Sequence, residues 1–270
     1  MNKFIFIAMA ILFAGAGCSE KVYIPEIVAH RGASWDAPEN TIPAFMLAWE
    51  QDADAIEGDF FLTADGEIVC IHDRSTGRVA GKDLVVKESS LMELRQLDVG
   101  SWKGPEWEGT VIPTLSEVFE IVPRDKKIFV EIKDDTVILP RLYEVIDESG
   151  LEDHQIVIIS FNSKVIKEFK SARPEHKAFW LSGFREDESG NINPDVETVL
   201  ETLKYIGADG FSSNFRRIDQ NYITRIIEAG YEYHVWTVNE PEDAARFREY
   251  GAMSITTDKP GEIREFLENQ

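Results

Sequence analysis

The chain has 270 residues, with 28 Lys and Arg against 49 Asp and Glu, a formal net charge of −21, and 43% hydrophobic residues. That length suits one large α/β domain or two small ones, and the apolar content is enough for a sizeable core. So acidic a chain excludes nucleic acid and anionic lipid headgroups as extended partners, because both need basic patches, but a small anionic substrate stays open if a cation and a few basic residues neutralise it locally.

The N-terminus reads as a targeting segment. Lys3 precedes an apolar run from Phe4 to Phe13, small residues fill 14–17, and Cys18 follows. The run is too short to span a bilayer as a helix, so it reads as a secretory signal. It resembles a bacterial lipoprotein signal, in which residues 1–17 are removed and Cys18 becomes the lipidated first residue. Gly15 departs from that pattern, where a larger aliphatic residue is usual. The expectation is an exported lipoprotein facing the periplasm or cell surface, with the membrane reached only through this anchor. Cys70 lies inside an apolar run and is expected to be a small core residue, not a disulfide partner.

From residue 25 onward, short β-branched runs alternate with helix-period segments. Ile27–Ala29 is the first strand. A helix follows, capped by Thr41, with Pro43 in its first turn and Phe45, Met46 and Trp49 on one face. Ala53–Glu57 is the second strand, and 63–66 is a turn into a short strand at 67–71. Residues 74–112 read as an irregular insertion with little regular structure, placed to cover a site. Thr114 and Glu117 form a capping box that opens the next helix.

The alternation then becomes regular, with strands beginning near 127, 155, 176, 209, 233 and 252, each followed by a helix. The helix at 241–249 is expected to be capped by Asn239. Eight strand–helix repeats over about 240 residues are what a TIM (β/α)8 barrel needs, here with a small insertion after strand two. An open doubly wound sheet is the alternative. No glycine-rich dinucleotide or P-loop fingerprint stands at any strand-to-helix turn.

In such a barrel, function gathers at the carboxyl ends of the strands. His30 and Arg31 end strand one, Glu57 and Asp59 end strand two, Glu131 and Lys133 end strand three, and Trp236 ends strand seven. His72 ends the small strand that returns from strand two. Residues two apart in a strand project to one face, so Glu57 and Asp59 point together, as do Glu131 and Lys133. Three carboxylates from neighbouring strands make a hard oxygen site suited to one divalent cation, Ca2+ or Mg2+, whereas zinc prefers nitrogen or sulfur. Two histidines beside it suit general acid–base work. Arg31 offers a planar fork for phosphate oxygens and Lys133 a point charge. Asp73 orients a neighbour or caps a turn. Arg216 and Arg217, after strand six, read as solvated surface.

The motifs Ala29-His-Arg-Gly32, Ala37-Pro-Glu-Asn-Thr41, Ile56-Glu-Gly-Asp-Phe60, Leu62-Thr-Ala-Asp-Gly66, His72-Asp73, Ile112-Pro-Thr-Leu115, Glu131-Ile-Lys133, Ile159-Ser-Phe161, Val235-Trp-Thr-Val-Asn239 and Ile255-Thr-Thr-Asp-Lys-Pro260 resemble, in this order, those of the glycerophosphodiester phosphodiesterases. The resemblance covers essentially all of 25–270. It implies a TIM barrel that hydrolyses glycerophosphodiesters to glycerol 3-phosphate and an alcohol. It further implies Glu57, Asp59 and Glu131 as metal ligands, His30 and His72 as the acid–base pair, and Arg31 and Lys133 at the phosphate. Trp236 and Glu39 would stand at the substrate rim. Gly251-Ala-Met-Ser-Ile255 departs from the family's usual run, at strand eight and away from the acidic site. The nucleophile, water or the substrate's own glycerol hydroxyl, stays open. The rival readings are a phosphatidylinositol-type phospholipase C, a phospholipase D-like lyase, and a lipid-anchored binding protein on an inactive barrel.

Overall fold

The computed structural model describes residues 23–186, 190 and 192–270; the predicted signal segment and Cys18 lie outside the described residues. The strands are β1 (Glu26–His30), β2 (Ala55–Leu62), β3 (Ile68–Cys70), β4 (Lys127–Ile132), β5 (Ile156–Ser160), β6 (Lys177–Ser182), β7 (Arg185–Glu186), β8 (Ile192–Asn193), β9 (Gly210–Asn214), β10 (Glu232–Trp236) and β11 (Ser254–Thr257). The main sheet has nine strands in the order β1-β11-β10-β9-β6-β5-β4-β2-β3, and β1 also pairs with β2. All of these pairs are parallel except β2–β3, so eight strands close into a parallel barrel and β3 hangs antiparallel on its outside edge. The short β7–β8 hairpin stands apart.

The helices are α1 (Ile42–Glu50), α2 (Gly77–Ala80), α3 (Leu91–Leu94), α4 (Leu115–Glu120), α5 (Leu139–Glu148), α6 (Ser163–Ala172), α7 (Val196–Ile206), α8 (Gln220–Glu228), α9 (Pro241–Glu249) and α10 (Pro260–Glu268). The longer ones ring the barrel, as the sequence alternation predicts. Each turns one apolar stripe inward; in α5 this is Leu139, Leu142, Val145 and Ile146, at helical spacing. Barrel strands are covered on both faces, which is why β5 reads Ile-Val-Ile-Ile-Ser with every residue buried. Thr41 caps α1 and accepts from Ala44 N, and Thr114 and Glu117 form the capping box of α4.

Local reading misplaces three features. The second strand does not end at Glu57; β2 runs on to Leu62, because residues 60–62 pair with β3 and hold the strand extended. Asn239 does not cap α9. The cap position is Glu240, without a side-chain bond, and Asn239 is drawn instead to Asp258. Residues 74–112 are more ordered than expected. The helices α2 and α3 and a 3-10 turn at 86–88 pack around their own small core of Val79, Val86, Leu94, Val99 and Ile112, set against Phe61, Val69 and Ile71 of the barrel side, and a second 3-10 turn follows at 105–107.

Strand parity decides what faces the barrel axis. Val28, Ala55 and Phe129 lie in the apolar plug with Val157, Ile159, Phe179 and Leu181. Two residues further along the same strands stand His30, Glu57 and Glu131, and two further again Asp59 and Lys133. The inward column therefore changes from apolar to charged as it climbs toward the carboxyl end. The register completes the layering, with His30 beside Glu57 and Asp59 beside Glu131. Gly32, at φ 81°, allows the chain to turn tightly after His30; a Cβ there would lie 2.6 Å from the Ala44 backbone.

Candidate active site

At the carboxyl end of the barrel lies a small pocket, a cavity of about 140 Å3. One side is charged, with His30, Arg31, Glu57, His72, Glu131 and Lys133. The other is apolar, with Phe129, Ile159, Phe161, Leu181 and Trp236. Phe161 and Trp236 meet edge to face at 5.5 Å and form the apolar lip. Arg217 pairs with Glu186 and is not part of the pocket lining.

Glu57, Asp59 and Glu131 are all buried and present oxygens within 4.8 Å of one another. Burial pushes the Glu57 carboxyl well up, and the charges of Asp59 and Glu131 push it further. Burial and then Asp59 raise Glu131 to about 7. Asp59 goes the other way: burial works against its charge, but Arg31 and then Lys133 overcome it and hold the carboxyl low. Glu57 Oε1 is buried and, among the described residues, has no hydrogen-bond partner. Three crowded carboxylates and an orphaned oxygen are a costly arrangement in a protein interior, and a hard cation among them removes the cost.

The basic residues interlock with this cluster. Arg31 donates its backbone N–H to Glu57 Oε2 at 2.9 Å and Nη1 to Glu39 Oε1 at 3.0 Å. Its Nε lies 3.2 Å from Asp59 Oδ2, an ion pair without hydrogen-bond alignment. Lys133 Nζ reaches Glu131 Oε1 at 2.7 Å and Asp59 Oδ1 at 3.2 Å. Burial alone would lower the ammonium pKa, but Asp59 and Glu131 raise it above the usual lysine value. Glu39 does not join the metal-type cluster; it bridges Arg31 to Arg78.

His30 and His72 are each held through the same ring nitrogen. His30 Nδ1 donates to Asp258 Oδ1 at 2.6 Å, and His72 Nδ1 to Asp73 Oδ1 at 2.8 Å. An ionised carboxylate only accepts, so Nδ1 carries the proton and Nε2 is left for chemistry. For His72, burial is the main effect and, with Arg31 and Lys133 nearby, keeps the ring neutral at lower pH than usual against the pull of Asp59.

Several site-forming residues carry no role in the sequence reading. Asn40 donates Nδ2 to Asp59 Oδ2 at 2.8 Å and accepts the Asp59 backbone N–H at 3.1 Å. Asp258 receives Ser34 Oγ at 3.0 Å and Asn239 Nδ2 at 2.6 Å. A signal existed for Asp258: it follows the eighth barrel strand at the same rim as the other polar residues. Asn40 stood inside the Ala37–Thr41 motif with no role of its own, and Arg78 carried no signal, since its one-turn helix α2 lies in an insertion without periodicity. Cys70 is buried, as its apolar run predicts, and its thiol lies 3.2 Å from Asn40 Oδ1.

Paired histidines facing a cation-type carboxylate cluster across a small pocket are the equipment of enzymes that hydrolyse phosphoric esters. The sequence model of the Glycerophosphoryl diester phosphodiesterase family matches residues 30–262. The glycerophosphodiester phosphodiesterase of Caldanaerobacter subterraneus subsp. tengcongensis is 34% identical over 243 residues, covering 87% of this chain and 94% of that one. A glycerophosphodiester phosphodiesterase of Bacillus subtilis is 27% identical, over 86% and 83%. Among solved structures, an Oleispira antarctica phosphodiesterase in complex with the product sn-glycerol-3-phosphate superposes with a TM-score of 0.82 at 27% identity, over 91% and 97% of the two chains. The chain belongs to the glycerophosphoryl diester phosphodiesterase family and is a phosphoric diester hydrolase.

Proposed function

We propose that this barrel hydrolyses glycerophosphodiesters to glycerol 3-phosphate and an alcohol, with a divalent cation at Glu57, Asp59 and Glu131 and with His30 and His72 as the acid–base pair. The observation that carries the reading is the pair of Nδ1-anchored histidines lining one pocket with two of the three buried carboxylates. The product bound to the Oleispira relative supports the glycerol 3-phosphate half of the substrate.

A bound Mg2+ or Ca2+ would supply charge neutralisation at the phosphoryl oxygens. Lys133, cationic and part of the pocket wall, binds a non-bridging oxygen from the protein side, and Arg31 contributes its fork beside it. His72, biased toward its neutral form, accepts a proton at Nε2 from the attacking oxygen. His30, backed by Asp258, delivers a proton from Nε2 to the leaving alcohol. The Trp236–Phe161 lip packs on the carbon portion of the substrate. Release of glycerol 3-phosphate from glycerophosphocholine, measured with purified protein, tests this assignment. His30→Ala and His72→Ala should each lose on the order of 100- to 10,000-fold in kcat, and EDTA should remove activity reversibly. Unimpaired turnover in either histidine variant rejects the acid–base pair. Phosphorus NMR of the product distinguishes open glycerol 3-phosphate from the cyclic ester that a lyase would leave.

We also propose that Cys18 carries a lipid anchor on an exported protein, supported by the sequence of residues 3–18. Cys18→Ala should move the protein from the detergent phase to the aqueous phase, and an unchanged partition rejects it.

A further inference from the structure

The insertion does more than pack against the side of the barrel. Arg78, on its helix α2, extends one guanidinium to two carboxylates of the barrel rim. Nη1 and Nη2 grip Glu39 Oε2 and Oε1 at 2.9 and 2.8 Å, and Nε reaches Asp73 Oδ2 at 2.5 Å. Each carboxylate passes the contact on. Glu39 Oε1 also holds Arg31 Nη1 at 3.0 Å, and Asp73 Oδ1 also holds His72 Nδ1 at 2.8 Å. A single side chain thus stands behind both Arg31 and His72 without touching the pocket lining.

The local structure holds Arg78 firmly in this place. Thr76, fully buried, ties the insertion's first loop together: its hydroxyl donates to Lys82 O at 2.5 Å and accepts Leu84 N–H at 3.0 Å. Val79 anchors the same turn in the insertion's apolar cluster. Arg78 therefore projects from a packed element, and the geometry needs arginine. Only a planar fork plus Nε can satisfy one carboxylate at two points and a second at a third, and a lysine ammonium offers a single point charge.

We infer that Arg78 is a positioning residue of the reaction, which sets the orientation of His72 through Asp73 and of Arg31 through Glu39, so that the insertion completes the catalytic rim. Without it, Asp73 is free to swing from His72 and the ring loses its fixed tautomer. Glu39, no longer shared, pulls Arg31 toward itself. The Arg78 side chain is 45% exposed, and ion pairs made by so open a side chain contribute little to folding, so the loss should fall on turnover and not on stability.

The inference rests on the acid–base reading above, and the test keeps the two separable. Arg78→Ala and Arg78→Lys are assayed with glycerophosphocholine beside His72→Ala, across pH 5–9, with melting temperatures measured in parallel. Arg78→Ala should lose about 10- to 100-fold in kcat and shift the pH limb assigned to His72, with Tm within a few degrees of the parent. Arg78→Lys should recover only a small part, and millimolar guanidinium added to Arg78→Ala should restore turnover several-fold. Activity within twofold of the parent and an unmoved pH limb overturn the inference. So does a loss that follows a fall in Tm while the limb stays in place, since that assigns Arg78 to the fold. If His72→Ala itself turns over normally, the acid–base reading fails first, and the Arg78 result is then read through Arg31 alone, as a rise in KM.

Discussion

His30 and Asp258 stand 228 residues apart in the chain and 2.6 Å apart in the fold, Nδ1 against Oδ1. Barrel closure makes the contact: β1 pairs with β11, and the turn after β11 carries Asp258 back over the end of β1. Burial alone would raise the Asp258 carboxyl, but the hydrogen bond and charge of His30, with help from Asn239 and Ser34, bring it down to about 2. Asp258→Asn should reduce kcat by about 10- to 100-fold, because the amide no longer fixes the His30 tautomer. The same pair has a stability signature. A depressed carboxyl contributes stability above its unfolded value near 4 and loses it as pH falls through about 2. The parent should therefore exceed Asp258→Asn by about 2 kcal/mol at pH 6, and the two should converge as the pH approaches 2. Parallel urea curves across that range would contradict the pairing.

The carboxylate cluster predicts the opposite slope. Glu57 and Glu131 are raised, Glu131 to about 7, so their charging costs the metal-free fold. A raised carboxyl contributes stability that is complete below the unfolded value and lost as pH rises through the folded one. In EDTA, Tm should fall between pH 5 and pH 8, and the fall should be smaller in Glu131→Gln. Millimolar Mg2+ or Ca2+ should raise Tm more at pH 8 than at pH 5, since binding must displace protons at the lower pH. A cation effect equal at both values would argue against these carboxylates as the ligands.

Asn40 controls one of those carboxylates. It sits at φ 58°, almost fully buried, with both ends of its amide committed to Asp59. Asn40→Ala leaves Asp59 Oδ2 and the Asp59 N–H without these partners, at a cost of about 1–3 kcal/mol. It should also weaken cation binding by about 10-fold or more, because Asp59 is no longer aimed. Titration calorimetry with Mg2+ or Ca2+ reads the second effect, and an unchanged affinity would show that Asp59 is oriented without Asn40.

Much of this was written in local pattern. The strand–helix alternation narrowed the fold to a barrel or an open doubly wound sheet, because each repeat must bury an apolar stripe or strand face and only a few layered solutions do so. Strand parity placed Glu57 with Asp59 and Glu131 with Lys133, since alternation is a property of extended backbone itself. His30, His72 and Trp236 at strand ends were visible for the same reason.

Other features needed the closed barrel. Nothing local shows that β2 continues to Leu62, because the reason is its pairing with β3. Asn239 obeys every rule for a helix cap, yet Asp258 wins its side chain from across the seam. Arg78 lies in an insertion without periodicity, and its reach to Glu39 and Asp73 depends on how that insertion packs. By itself, then, the sequence determined which polar groups gather and which end of the barrel they share. Tertiary structure alone decided that Asp258 holds His30 and that Arg78 backs Glu39 and Asp73. Periodicity records the direction of a side chain along its own element, whereas an ion pair between distant segments depends on register and closure, which leave no periodic trace.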